Sequence, residues 1–131
     1  MNIALMAHDG KKELMVQFCI AYCGILSEHS ICATNTTGKL VSEATGLSVS
    51  LYMSATQGGA QQVGARIAYN EIDLVLFFCD PHTSNFVDIN NIARLCDQYS
   101  IPFASNVATA EVLLQGLRRG DLDWRNIVNP K

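Results

Sequence analysis

Short unbroken apolar runs alternate along the chain with longer stretches in which apolar side chains return every third or fourth position. The runs cover residues 2–7, 30–33, 47–53, 72–79 and 101–104; the run IDLVLFFC at 72–79 is the clearest of them. Their brevity and lack of alternation predict strands buried on both faces. Between them, residues 12–26 carry Leu14, Phe18, Tyr22 and Leu26 at four-residue spacing, one face of a helix. Residues 61–69 read as a second helix, and residues 88–99 as an amphipathic one with Ile89, Ile92 and Leu95 on one side. Residues 107–117 form a last helix ended by Gly120. The segment Thr34-Asn35-Thr36-Thr37-Gly38 reads as a loop whose hydroxyls cap a short helix over residues 40–44. The final stretch, 121–131, mixes Trp124, Pro130 and charges, and is expected to pack as a tail or a subunit contact.

Strands alternating with helices predict an α/β fold in three layers, a mostly parallel central sheet with helices on both faces. At 131 residues the chain is expected to be a single domain over 1–131. Ligands of such folds bind outside the carboxyl ends of the strands. Those ends carry His8-Asp9, the 34–38 segment, the loop 54–59, Asp80-Pro81-His82 and Asn106.

Composition narrows the partners. A formal charge of −3 with scattered Lys and Arg excludes a nucleic-acid footprint, which needs clustered basic residues. No apolar run approaches the ~20 residues of a membrane helix, and no basic segment precedes the apolar opening as in a signal peptide. Charged residues are only 16%, below the about 25% usual for soluble domains, which favours self-association. The five cysteines lie in apolar surroundings and fit buried thiols in a reducing cytoplasm. Cys19 and Cys23 stand one helical turn apart, but without a second pair or a nearby histidine they do not make a metal site.

Several loop residues could carry chemistry. Three threonines and a run of backbone N–H groups at the opening of a helix suit a phosphate, although the segment lacks the ending of a Walker sequence. An ordinary capped loop is the alternative. Lys12 could pair with the anion or be a solvated surface lysine. In His8-Asp9, the imidazole can polarise a carbonyl while the carboxylate fixes its tautomer or acts as base; a structural loop contact is the alternative. Asp80 is expected to accept backbone N–H bonds in the turn before Pro81. Asp88 is either a helix N-cap or a carboxylate aimed into the cleft. His82 is a candidate ligand contact, and Cys79 is expected to fill core.

Taken together, Ala7-His8-Asp9, Thr36-Thr37-Gly38, Glu43-Ala44-Thr45-Gly46-Leu47, Gly58-Gly59, Gln61-Gln62-Val63-Gly64-Ala65, Asp80-Pro81 and Ile101-Pro102 with Asn106-Val107-Ala108-Thr109-Ala110 resemble the methylglyoxal synthase family. The match runs in order through nearly the whole chain. The resemblance implies an α/β subunit, commonly in a homohexamer, acting on dihydroxyacetone phosphate without metal or organic cofactor. It implies removal of a proton next to the ketone, an ene-diolate, and loss of phosphate to give methylglyoxal. Lys12, Thr34, Asn35, Thr36, Thr37, Ser54 and Ala55 would line the phosphate site, with Gly38 and Gly59 shaping its loops. His8 would contact substrate oxygens, and Asp9, Asp80 and Asp88 would orient the site or handle its proton.

The chain departs from the family pattern at several of these places. The family reads Gly-Gly-Asp-Gln-Gln with the aspartate as usual base; Ala60 stands there in this chain, and a methyl group cannot accept a proton. Ser54-Ala55-Thr56 replaces Ser-Gly-Pro, and Asn35 replaces a glycine. In the shortened loop after Asp80-Pro81, Asn85 falls nearest to the family's ketone-polarising histidine, with His82 as an alternative. Three functions stay open on this reading: a methylglyoxal synthase-type lyase, a noncatalytic module that binds a phosphorylated metabolite or inorganic phosphate, and a lyase or isomerase of another phosphorylated ketone or aldehyde.

Overall fold

In the computed structural model, which describes residues 1–130, five strands form one sheet in the order β3-β2-β1-β4-β5. The strands are β1 (Asn2–Ala7), β2 (Ser30–Ala33), β3 (Val49–Leu51), β4 (Leu74–Phe78) and β5 (Phe103–Ala104), and every neighbouring pair is parallel. The helices are α1 (Lys12–Ala21), α2 (Cys23–Leu26), α3 (Asn35–Thr45), α4 (Gly59–Ala68), α5 (Val87–Gln98), α6 (Val107–Arg119) and α7 (Trp124–Val128).

Alternation along β1 divides the core. Ile3, Leu5 and Ala7 face one layer with Met15 and Phe18 of α1, Val41 of α3, and Leu114 and Leu117 of α6. Ala4 and Met6 face the other, with Val63 and Ile67 of α4 and Ile89, Ile92 and Cys96 of α5. The three-layer architecture is therefore the one expected, with a sheet that is wholly parallel. Winding proceeds outward from β1 to β3, then restarts beyond β1 at β4. Right-handed crossovers put helices of the two directions on opposite faces. The reversal lies between β1 and β4, so the crevice at their carboxyl ends is the topological switch point.

Several boundaries differ from the sequence expectation. The helix expected over 40–44 begins at Asn35, with Thr34 in the cap position; burial of Thr37, Gly38 and Val41 overrides the weak helix propensity of Asn, Thr and Gly. The helix expected over 12–26 breaks at Tyr22, whose backbone leaves the helical region. Its buried face is Met15, Phe18 and Cys19, while Leu14 is exposed. Asp88 does not cap α5: the helix starts one residue earlier, and the Asn85 side chain accepts the Val87 N–H at 2.9 Å instead. The expected strands 47–53, 72–79 and 101–104 shorten to β3, β4 and β5.

The tail does pack. Arg125 of α7 is buried, pairing through Nε with Asp73 at 3.3 Å and donating from Nη1 to the Ser100 carbonyl at 2.8 Å. Lys131 lies outside the described residues. Among the described residues no helix is long and apolar enough to cross a membrane.

Candidate active site

A cavity of about 340 Å³ opens at the carboxyl edge of the sheet, centred on the switch point. Its wall is assembled from four loops that the sheet register brings together.

The first loop leaves β1. His8 N–H continues the ladder to the Phe78 carbonyl at 3.1 Å, which holds the ends of β1 and β4 side by side. The His8 ring then accepts the Asp80 backbone N–H through Nδ1 at 2.9 Å. A neutral imidazole that accepts at Nδ1 carries its proton on Nε2, so His8 presents a donor there. Phe77 meets the ring edge-on, centroids 5.2 Å apart, and restrains its rotation. Asp9 was a candidate to set this tautomer, but its carboxylate is fully exposed and pairs with Lys12 Nζ at 3.0 Å. The hydrogen bond and charge of Lys12 hold the Asp9 carboxyl below the usual carboxylate range. Lys12 Nζ also donates to the Ala7 carbonyl at 2.7 Å, which aims the ammonium along the cavity floor.

The second loop opens α3. Thr34 and Thr36 line the cavity, and the first amides of the helix have no intrahelical acceptor. Thr34 makes no side-chain cap bond, which leaves its hydroxyl available. Asn35 and Thr37, grouped with them by sequence, are not on the wall. Thr37 points into the protein, and its Oγ1 has no hydrogen-bond partner among the described residues.

The third loop, after β3, supplies Ser54, Ala55 and Thr56, with Ser54 and Thr56 hydroxyls 3.2 Å apart. It is folded back by Gly58 in the left-handed region and by Gly59, whose N–H donates to the Ser54 carbonyl at 2.9 Å. Gln62 fastens it by accepting the Met53 N–H at 2.8 Å. Ala60, in the first turn of α4, is almost fully buried and forms part of the wall.

The fourth loop, after β4, brings Asp80, Thr83, Asn85 and Asp88. Asp80 Oδ1 accepts the His82 N–H at 2.9 Å, as the turn reading expects, and Gly10 leaves room for Oδ2. The Asp88 side chain has no hydrogen bond or ion pair among the described residues. His82 is exposed and off the cavity wall, so Asn85 is the one of the two that reaches it. Asn106 is also elsewhere, capping α6 by accepting the Thr109 N–H at 2.9 Å. Cys79 packs against the core, as expected. Phe77, Gly10 and Thr83 were not singled out by sequence. Phe77 reads as core filler in an apolar run, and Gly10 and Thr83 carry no motif.

The wall thus has two ends. Lys12, the Thr34, Thr36 and Ser54 hydroxyls and the α3 amides make an anion-favouring end. His8, Asp80, Asn85 and Asp88 make an end suited to polarising and deprotonating a carbonyl compound. Among the described residues no group of three or more His, Cys, Asp or Glu side chains could hold a metal ion.

Comparison with known proteins places this arrangement. The family model described as the MGS-like domain matches residues 15–105. A methylglyoxal synthase of Caldicellulosiruptor saccharolyticus is 59% identical over 133 residues, covering 100% of this chain and 94% of the relative. The chain belongs to the methylglyoxal synthase family. A methylglyoxal synthase of Lysinibacillus sphaericus is 54% identical, covering 97% of this chain and 96% of its own length. The crystal structure of methylglyoxal synthase from Elizabethkingia anophelis superposes with a TM-score of 0.82 at 42% identity, over 86% of this chain and 76% of that one. The methylglyoxal synthase fold is therefore shared, and the cavity lies at its sheet edge.

Proposed function

We propose that this chain is a lyase of the methylglyoxal synthase type, taking dihydroxyacetone phosphate to methylglyoxal and inorganic phosphate. The observation that carries the reading is the single cavity in which an ammonium and hydroxyl end faces an imidazole and carboxylate end. In this reading Lys12, Thr34, Thr36 and Ser54 hold the phosphate. His8 Nε2–H and the Asn85 amide stabilise the oxygen that becomes negative. A carboxylate takes the proton from the carbon next to the ketone. The electron pair released forms the ene-diolate and then expels phosphate by breaking its carbon–oxygen bond; the enol left behind becomes methylglyoxal.

Asp88 is the carboxylate best supported as base. Asp80 already accepts the His82 N–H, and Asp9 is turned to Lys12. Ala60 offers no base at the family's usual position. That loss favours a second reading, a module that binds a phosphorylated metabolite without turnover. Loss of a positioned base costs ~10²–10⁴-fold. The deciding experiment is a methylglyoxal and phosphate release assay of this chain beside its Ala60→Asp variant. The lyase reading expects release above background and acceleration by the variant. No release from this chain, with a clear rate from the variant, leaves the binding reading, which calorimetry with dihydroxyacetone phosphate and inorganic phosphate then checks.

A homo-oligomer, hexameric in the family pattern, is part of the proposal. Exposed Tyr69, Ile127 and Val128 and the low charge support it, and light scattering measures it. The five free cysteines support a reducing, cytoplasmic setting.

A further inference from the structure

The loop 54–59 carries two hydroxyls that no helix cap uses. Ser54 precedes the short 3₁₀ turn Ala55–Gln57 and makes no side-chain cap bond to it. Its carbonyl accepts the Gln57 and Gly59 N–H groups, both at 2.9 Å, so the backbone that bears Ser54 and Thr56 is fastened twice. Among the described residues the only partner of either hydroxyl is the other, at 3.2 Å. That is long for a bond between hydroxyls, where about 2.7–2.8 Å is usual. Both side chains line the cavity, and Thr56 is exposed. A fastened backbone with two loosely joined hydroxyls is suited to exchange. Each can give up a weak neutral bond for one to an anion, which is roughly twice as strong.

We infer that the Thr56 hydroxyl is a further phosphate ligand, donating to one oxygen of the group while Ser54 donates to a second. The inference rests on the reading of this cavity as a phosphate site. It adds to that site a residue outside the family pattern, where a proline has neither a hydroxyl nor an N–H to offer. Two hydroxyls this close on one fastened loop can serve two oxygens of a single tetrahedral anion. The alternative is that Thr56 acts only through Ser54, by turning its hydroxyl. A double replacement separates the two roles, because an effect passed through Ser54 vanishes when Ser54 is gone.

Titration calorimetry of the full chain with inorganic phosphate tests this. Thr56→Val keeps the branched shape and deletes the hydroxyl. It is expected to weaken phosphate binding about tenfold or more, the worth of one hydrogen bond to a charged group. Thr56→Ser should bind phosphate as the parent does. Urea midpoints without phosphate should match the parent in both variants, while added phosphate raises the midpoint of Thr56→Val less. In a Ser54→Ala background Thr56→Val should still lower the affinity; no effect there makes Thr56 a positioning residue only and overturns the inference. A loss that Thr56→Ser does not rescue overturns it too, since the hydroxyl is then not the cause. Equal affinity of the parent and Thr56→Val also overturns it and leaves the phosphate reading standing. A parent that binds no phosphate refutes that reading, and the inference falls with it.

Discussion

The His8 imidazole accepts the backbone N–H of Asp80 through Nδ1 at 2.9 Å, tying the residue after β1 to the second residue after β4 across the switch point. A backbone amide cannot give up its role as donor, so this bond fixes which ring nitrogen of neutral His8 bears hydrogen. Nitrogen-15 correlation spectra at alkaline pH are expected to show His8 protonated at Nε2. A ring protonated at Nδ1 would contradict the geometry and remove the donor proposed for the developing oxyanion.

Gly59 is irreplaceable for steric reasons. A Cβ at this position would overlap the Met53 carbonyl oxygen and come within 3.0 Å of the Ser54 carbonyl oxygen, both fixed backbone atoms. Gly59→Ala is expected to cost about 1–3 kcal/mol in urea unfolding and to weaken phosphate binding by moving Ser54. Phosphate affinity unchanged in a variant that has lost stability would separate the loop from the anion site.

Arg125 and Asp73 are each 2% exposed by side chain and meet at 3.3 Å. Asp73 Oδ2 also accepts the Asn2 N–H at 2.8 Å, so the pair joins α7 to the amino edge of the sheet. Arg125→Ala takes the guanidinium away from a buried carboxylate and is expected to cost about 3–5 kcal/mol. The double replacement Arg125→Met with Asp73→Asn should recover much of that loss, because buried pairs gain little over neutral side chains. Denaturant midpoints of the three proteins measure both effects; a single variant as stable as the parent would refute the role of the pair.

Burial pushes the Cys19 and Cys96 thiols up to about 12 and the Cys32 thiol to about 11, from an ordinary 9.0. Raised values mean that the fold disfavours the thiolate. Their contribution to stability is complete below pH 9 and is lost as pH rises through 9 towards 11–12. The unfolding midpoint should hold steady from pH 7 to 8 and fall between about 9 and 11. Native alkylation at pH 8 read by mass spectrometry should spare Cys19, Cys32 and Cys96, while the half-buried Cys23 and Cys79 react.

The apolar pattern was enough to determine the layers. Runs such as Leu74–Phe78 are buried on both faces, and that burial admits only an interior strand. The same pattern placed His8, Asp80 and the Thr34 region at one edge, because parallel strands send all their carboxyl ends the same way. The ordered motifs also identified the family. What the tertiary structure decided is which neighbours reach the cavity. Thr36 lines it while Asn35 and Thr37 do not, since α3 starts early and its phase against the sheet turns Thr37 inward. Asp80 rather than Asp9 orients His8, a contact between residues 72 positions apart that exists only through the β1–β4 register. Periodicity reports which face of an element is buried; it carries no information on the phase of one element against another, and side-chain convergence depends on that phase.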